Sequence, residues 1–316
     1  MKMKSFIGLL LGFAATVCWG SFYVAGRWLF GEEGDGLNVY LFNFLRFVMA
    51  AAALSPLLLS REKRQLVKEA FTRDLTRFLL ITAIGVVLES YLVFYALNFT
   101  TAARCSLMAN FSPVATVIFA FLLHGERIGK IGGAGMVIGF AGIVLAGLSQ
   151  GGDMYAVTSW RSFIGDAMAL GSGLCWAFFT AYGVDVSNKY GGAVCMFVCF
   201  VLGSVLMLPV QFFMVDITEV TAIPLQVWGG MVYTGVITLA FANGCYYAAL
   251  RYIRAGVLGA FGYLSAGITF TLSIIMLKER FSLLFIFAVV LILTGMILMM
   301  NHPGRGGMEK ENRNGD

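Results

Sequence analysis

The sequence predicts an all-α membrane protein of ten transmembrane helices, built from two inverted five-helix repeats. Three observations predict it. First, 59% of the 316 residues are hydrophobic, mean hydropathy is +0.84, and charged residues make up only 12%. Soluble domains carry about 25% charged residues, and a water-soluble fold of this length could not hide so much apolar surface. Soluble enzymes and nucleic-acid-binding modules are therefore excluded. Second, apolar runs of the length that crosses a bilayer core, roughly 17–25 residues, recur along the whole chain. Third, the two halves share matching residues in the same order.

The runs fall at about 6–29, 39–59, 78–98, 103–123, 131–149, 163–183, 192–215, 227–249, 255–277 and 281–300. Most joints are short and carry charge, Gly or Thr, as in Gly31-Glu32-Glu33-Gly34-Asp35-Gly36; the longest runs from Ser60 to Arg77. The start, Met1-Lys2-Met3-Lys4 before an apolar run, resembles a signal peptide. It lacks a small-x-small cleavage site near Cys18-Trp19, so it reads as an uncleaved first helix. The 38 glycines suit membrane helices, where small residues let backbones approach closely. Gly135, Gly139, Gly142 and Ala146 lie on one face of the fifth helix. That seam serves either internal packing or a homodimer contact through the fifth and tenth helices. The six cysteines all sit within apolar runs and read as small apolar packers, with no disulfide framework and no metal site implied.

Orientation follows from Lys and Arg. With the N-terminus inside, 16 basic residues lie on the cytoplasmic side, among them Lys2, Lys4, Arg61, Arg73 and Arg127. Four, Arg104, Arg161, Lys278 and Arg280, lie on the other. The net charge of +5 thus reports topology and not nucleic-acid binding. Both termini are expected in the cytoplasm of a multi-pass protein of the plasma (inner) membrane. Residues 301–316 are expected to form a disordered cytoplasmic tail.

The repeat divides the chain into residues 1–150 and 151–300. Ser5-Phe6-Ile7-Gly8 recurs as Ser162-Phe163-Ile164-Gly165, and Cys18-Trp19 as Cys175-Trp176, at an offset of 157. At an offset of 153, Ala96-Leu97 matches Ala249-Leu250 and Glu126-Arg127 matches Glu279-Arg280. Five spans per half is an odd number, so the second copy starts on the opposite side of the membrane. Inverted repeats are a frequent architecture of secondary transporters, and channels carry them too.

These residues resemble the EamA domain of the drug/metabolite transporter superfamily. The first half offers Phe94-Tyr95-Ala96-Leu97, Ser112-Pro113 and Gly125-Glu126-Arg127. The second offers Tyr247-Ala248-Ala249-Leu250, Lys278-Glu279-Arg280-Phe281 and Gly295-Met296-Ile297-Leu298. Ala266 stands where Pro113 would recur, so the second half is expected to hinge less sharply there. The resemblance implies a ten-helix carrier with a cavity lined by the first, third, fourth, sixth, eighth and ninth helices. It also implies export, or less often uptake, of amino acids and related metabolites.

Ionisable residues at mid-membrane cost about 2.5–3.5 kcal/mol on insertion scales and so mark function by default. Two lie deep: Arg46 in the second span and Glu89 in the third. At 1.5 Å per residue their depths differ by about 5 Å. Either Arg46 holds a substrate carboxylate and Glu89 an amine or a proton, or the two form a structural ion pair. Trp19 and Trp176 occupy equivalent places in the first helix of each half, with Tyr23 on the face of Trp19 and Thr180 on that of Trp176. Asn243 and Tyr247 form a similar face on the eighth helix, and Asn110 and Tyr263 stand at equivalent positions in the fourth and ninth. These ten residues are the candidate substrate-binding set, with ordinary helix packing as the alternative for each aromatic. Glu126-Arg127 and Glu279-Arg280 sit at membrane ends and read as interfacial caps.

The expected function is therefore a secondary transporter of a small-molecule metabolite within a lipid bilayer, working by alternating access. A membrane channel and an integral-membrane group-transfer enzyme are the alternatives. The deep positions hold no paired carboxylates and no nucleophile–base pair, and the sequence has no P-loop. No catalytic residue, cofactor or nucleic-acid partner is implied.

Overall fold

The computed structural model describes residues 2–30, 38–96, 99, 105, 108–149, 160–215, 220, 223–277 and 283–301. Among them every regular element is helical: the protein is all-α. Six helical runs are long and apolar enough to cross a membrane, and four shorter apolar helices accompany them. The expected disordered tail beyond residue 301 lies outside the described residues.

In chain order the helices are α1 (Lys2–Phe30), α2 (Val39–Leu54), α3 (Arg61–Arg73), α4 (Leu75–Thr82), α5 (Glu89–Ala96), α6 (Ser112–His124) and α7 (Lys130–Ser149). They continue as α8 (Trp160–Tyr190), α9 (Gly192–Met214), α10 (Leu225–Val232), α11 (Ala242–Ala249), α12 (Ala255–Gly259), α13 (Phe261–Leu277) and α14 (Leu283–Asn301). A short 3₁₀ stretch, Ser55–Leu59, extends α2. Wide π-helical turns join α4 to α5 (Ala83–Leu88) and α10 to α11 (Tyr233–Phe241). Shifted by the repeat offset of 153, residues 83–88 become 236–241, so the third helix of each half is loosened at the same place. Such turns gather at functional sites, because they shift the side-chain register and leave carbonyls free to accept other bonds.

Local chemistry sets the ends. Asn38 caps α2 by accepting the Tyr40 N–H at 2.9 Å, and its Nδ2 donates to the Met214 carbonyl at 3.1 Å. Gly191, at φ +79°, makes the tight joint between α8 and α9. Gly125, at φ +66°, ends α6, its N–H donating to the Phe121 carbonyl. The joint Ser60–Arg77 contains a helix, α3, with Val67 and Ala70 buried along its polar length. Two expected spans are broken. The fourth was expected as one helix over 103–123; its α6 begins only at Ser112, with Pro113 in its first turn and Asn110 and Phe111 in a turn before it. Proline lacks the N–H that a continuous helix needs there. The ninth, expected over 255–277, divides at Ala260 into α12 and α13.

The helices group into two compact units, each drawn from both halves of the sequence: Met1–Ser90 with Gly183–Tyr252, and Tyr91–Tyr182 with Ile253–Asp316. In the first unit α2 packs on α9 and on the second π turn, α1 packs on α11, and α9 packs on α4 and the first π turn. Its core includes Phe42, Phe47, Phe78 and Phe200, with Phe47 edge-on to Phe200 at 5.8 Å. In the second unit α7 lies along α14. A methyl on Gly295 would sit 2.4 Å from the Gly139 nitrogen, and one on Gly142 would sit 2.8 Å from the Ile292 nitrogen. The glycine seam of the fifth helix is thus filled by the tenth helix of the same chain. The side chain of Ala146 lies outside the described set.

Candidate functional site

Arg46 sits on the buried face of α2 at 6% exposure. Its guanidinium carbon lies over two rings, 4.6 Å from the Phe22 centroid and 5.0 Å from that of Phe42. Aromatic faces are the negative side of the ring quadrupole, so this arrangement offsets part of the cost of burying the cation. The Arg46 Nε has no hydrogen-bond partner in the protein.

Asn43 lies one turn earlier on the same helix face. It is 0% exposed, and neither its Nδ2 nor its Oδ1 has a partner in the protein. Buried amides are nearly always paired, so an unpaired one a turn from an incompletely paired guanidinium is a candidate for binding a polar ligand. Glu89 opens α5, directly after the first π turn, and accepts a bond from Ser90 Oγ at 3.4 Å. Arg46 and Glu89 are each other's electrostatic partners. Among the described residues, however, no ion pair within 4.0 Å joins them.

Nearby in the first unit, Trp19 on α1 donates its Nε1–H to the Thr238 carbonyl at 3.1 Å, inside the second π turn, and its ring lies 4.9 Å from that of Tyr246. Ser21 and Tyr233 share a hydroxyl hydrogen bond of 2.5 Å. Asn243, 5% exposed, donates from Nδ2 to the Leu239 carbonyl at 2.9 Å. Tyr247 is fully buried, its hydroxyl pressed on Gly183, and its carbonyl accepts from Ser187 Oγ. The side chain of Tyr23 lies outside the described residues.

The remaining candidates belong to the second unit. Asn110 is half-buried in the turn that precedes α6. Trp176 is half-buried with its ring 5.2 Å from Phe179, and Thr180 is 0% exposed one turn on. Tyr263 is 0% exposed, donates its hydroxyl to the Met136 carbonyl at 3.1 Å and rests on Gly139. The structure therefore brings Trp19, Arg46, Glu89, Asn243 and Tyr247 into one unit, and Asn110, Trp176, Thr180 and Tyr263 into the other.

Sequence reasoning missed Asn43. A search for ionisable groups passes over a neutral amide, although its place three residues before Arg46 in an apolar run was a usable signal. At the membrane end, Glu126 accepts the backbone N–H groups of Gly256 and Ala255, which open α12, with Arg254 and His124 close by. Burial, only partly offset by those donors and by the charge of Arg254, holds its carboxyl above the usual range. The counterpart Glu279-Arg280 lies outside the described residues.

A two-repeat bundle of apolar helices with a charged, incompletely paired polar centre is the architecture of a membrane transporter. The profile of the EamA-like transporter family matches residues 6–148 and 163–301, and the chain belongs to that family. It is 28% identical over 280 residues to an uncharacterized transporter of Archaeoglobus fulgidus, covering 88% of this chain and 91% of that one. It is 23% identical to the uncharacterized transporter YetK of Bacillus subtilis, covering 94% and 87%. It is 21% identical to an uncharacterized transporter of Clostridium kluyveri, covering 93% and 92%. A protein of known crystal structure superposes with a TM-score of 0.75 over 92% of this chain and 95% of its own, at 18% identity; it shares the fold. The chain is a multi-pass membrane transporter.

Proposed function

We propose that the protein is a secondary carrier that exports amino acids or related small metabolites by alternating access. The observation that carries this reading is the polar centre of Asn43, Arg46 and Glu89, in which a fully buried amide and the guanidinium Nε lack partners in the protein and a half-buried carboxyl is the electrostatic partner of the cation. A free amino acid carries a carboxylate and an ammonium on one carbon, and it matches that pair of opposite charges. Arg46 takes the carboxylate, since a guanidinium fork binds two oxygens at once. Glu89 takes the amine, or a proton in its place. Trp19, Tyr23, Asn243 and Tyr247 of the first unit, and Asn110, Trp176, Thr180 and Tyr263 of the second, are the further substrate-binding residues of this proposal.

The halves 1–150 and 151–300 act as inverted repeats that exchange conformations, with both termini in the cytoplasm of the plasma (inner) membrane. A homodimer through the fifth and tenth helices would use their outward faces, where Val137 and Ile297 are 65% and 51% exposed, since their glycine faces meet each other within the chain.

The test compares Arg46→Lys and Glu89→Gln with the unaltered protein for binding, flux and melting temperature. A transport role requires lost affinity or lost flux in a folded protein. Normal flux in both variants, with melting several degrees lower, would make the two residues structural and refute the assignment.

A further inference from the structure

We infer that the Asn43–Arg46–Glu89 centre selects its ligand by net charge: it binds an α-amino acid zwitterion as it stands, binds the corresponding amine-free carboxylate only together with one proton, and excludes the corresponding amine. The inference deepens the proposed function and rests on its assignment of the substrate to this centre.

The argument begins with the charges that the protein supplies. Arg46 is 6% exposed and remains a cation, because a guanidinium is not deprotonated in proteins. Among the described residues its charged counterpart is Glu89. The elements packed around them add little. Apart from Arg46, α2 carries one titratable group, Tyr40 in its first turn. On α9, which packs against the first π turn, the titratable side chains are the thiols Cys195 and Cys199; the second π turn, packed on α2, carries Tyr233, α1 carries Cys18, and α4 carries Arg77, twelve residues before Glu89. With Glu89 ionised, the centre holds one positive and one negative charge among the described residues and is near neutrality.

Charge added to a site of low dielectric must be matched, because water is not present to screen it. A zwitterion adds none. Its carboxylate takes a bond from Arg46 and one from Asn43 Nδ2, its ammonium faces Glu89, and both partnerless groups are satisfied. A carboxylate without an amine brings one negative charge and displaces Glu89 as the counter-ion of Arg46. Protonation of Glu89 restores neutrality, with the proton drawn from solvent onto a carboxyl oxygen. An amine without a carboxylate brings a positive charge to a centre whose cation has no proton to lose, so neutrality is not recovered. Asn43, on this account, is a binding residue: its Oδ1 and Nδ2 serve ammonium and carboxylate alike.

The test uses the full-length protein in detergent micelles and matched probes: leucine with 4-methylpentanoate, phenylalanine with 3-phenylpropanoate, and 3-methylbutylamine. Binding heats are measured in phosphate and in Tris, whose different ionisation enthalpies reveal proton uptake. The expected result, above the pH at which Glu89 ionises in the unliganded protein, is about one proton taken up per amine-free acid, none per amino acid, and no binding of the amine. The affinity for the acids should fall about tenfold per pH unit once Glu89 ionises in the unliganded protein. In Glu89→Gln that pH dependence and the proton uptake should vanish while the acids still bind, and the amino acids should weaken at least tenfold. An acid that binds without a proton, or an amine that binds as well as its amino acid, overturns the charge rule while leaving the substrate assignment intact. If no probe binds, or binding is unchanged in a folded Arg46→Lys protein, the substrate assignment itself fails and the charge rule with it. The proton count on the unaltered protein needs no variant to fold.

Discussion

Replacing Asn43 by Val separates a binding residue from a structural one, because the two roles move stability and affinity in different directions. Asn43 is 0% exposed with both amide atoms partnerless in the protein. A buried polar group left without a bond costs about 1–3 kcal/mol. Valine is close to asparagine in size, and a swap of similar volume costs less than about 1.5 kcal/mol. The variant should therefore gain roughly 1 kcal/mol, worth about 1–2 °C in melting temperature for a chain of 316 residues. Loss of a hydrogen bond to a charged ligand, about 1.5–3 kcal/mol, should at the same time weaken amino-acid binding ten- to a hundredfold. Thermal unfolding in detergent and calorimetric binding measure both. A protein that melts several degrees lower, or that binds as before, would refute the reasoning: the first would show that the amide supports the fold, the second that it faces no ligand.

Three further outcomes follow from the packing and the charged ends. Gly295→Leu should abolish folding or cost more than about 3 kcal/mol, since even a methyl there would lie 2.4 Å from the backbone of Gly139; Gly133→Ala, where nothing lies within 4 Å, should leave elution and melting unchanged. At Glu126, burial raises the folded pKa, so its contribution is present below the unfolded value near 4.5 and lost as pH rises through the folded one; the melting temperature of the unaltered protein relative to Glu126→Gln should fall over that rise. At Asp74 the sign reverses: hydrogen bonds from Lys189 and then Tyr190 hold its pKa low, so its contribution is present above about pH 4 and lost as pH falls. Melting curves of Asp74→Asn should lack that acid-side loss, and added salt should narrow the difference, as expected for a partly exposed pair.

Much of this was legible because lipid imposes a simple rule: a helix that spans it is long and apolar, and a charge within it stands out. The apolar spans follow from it, and so does the choice of Arg46 and Glu89 as candidates; that Glu126 accepts from the first N–H groups of α12, in the ninth span and not its own, does not. The breaks were less visible. Pro113 signalled an interruption near Asn110, yet Ala260, where the ninth span divides, has no residue that forbids a helix. The π turns at Ala83–Leu88 and Tyr233–Phe241 arise from tertiary packing, and their sequences, rich in β-branched and small residues, read as ordinary helix. The interleaving of the halves into two units depends on long-range contacts that no local pattern encodes. The isolation of Asn43 depends on what surrounds it, and on Phe22 and Phe42 lying against the neighbouring guanidinium.

The central claim is that this chain is a carrier whose substrate is an amino acid. Counterflow tests it most directly: purified protein in liposomes preloaded with unlabelled leucine or another amino acid, diluted into trace labelled amino acid with no imposed ion gradient. The account predicts a transient accumulation of label above equilibrium that Arg46→Lys slows and that preloading with 3-methylbutylamine does not support. Label that only equilibrates, with a rate that rises linearly with concentration, would show a channel; no protein-dependent entry of any amino acid in the panel would contradict the substrate class itself.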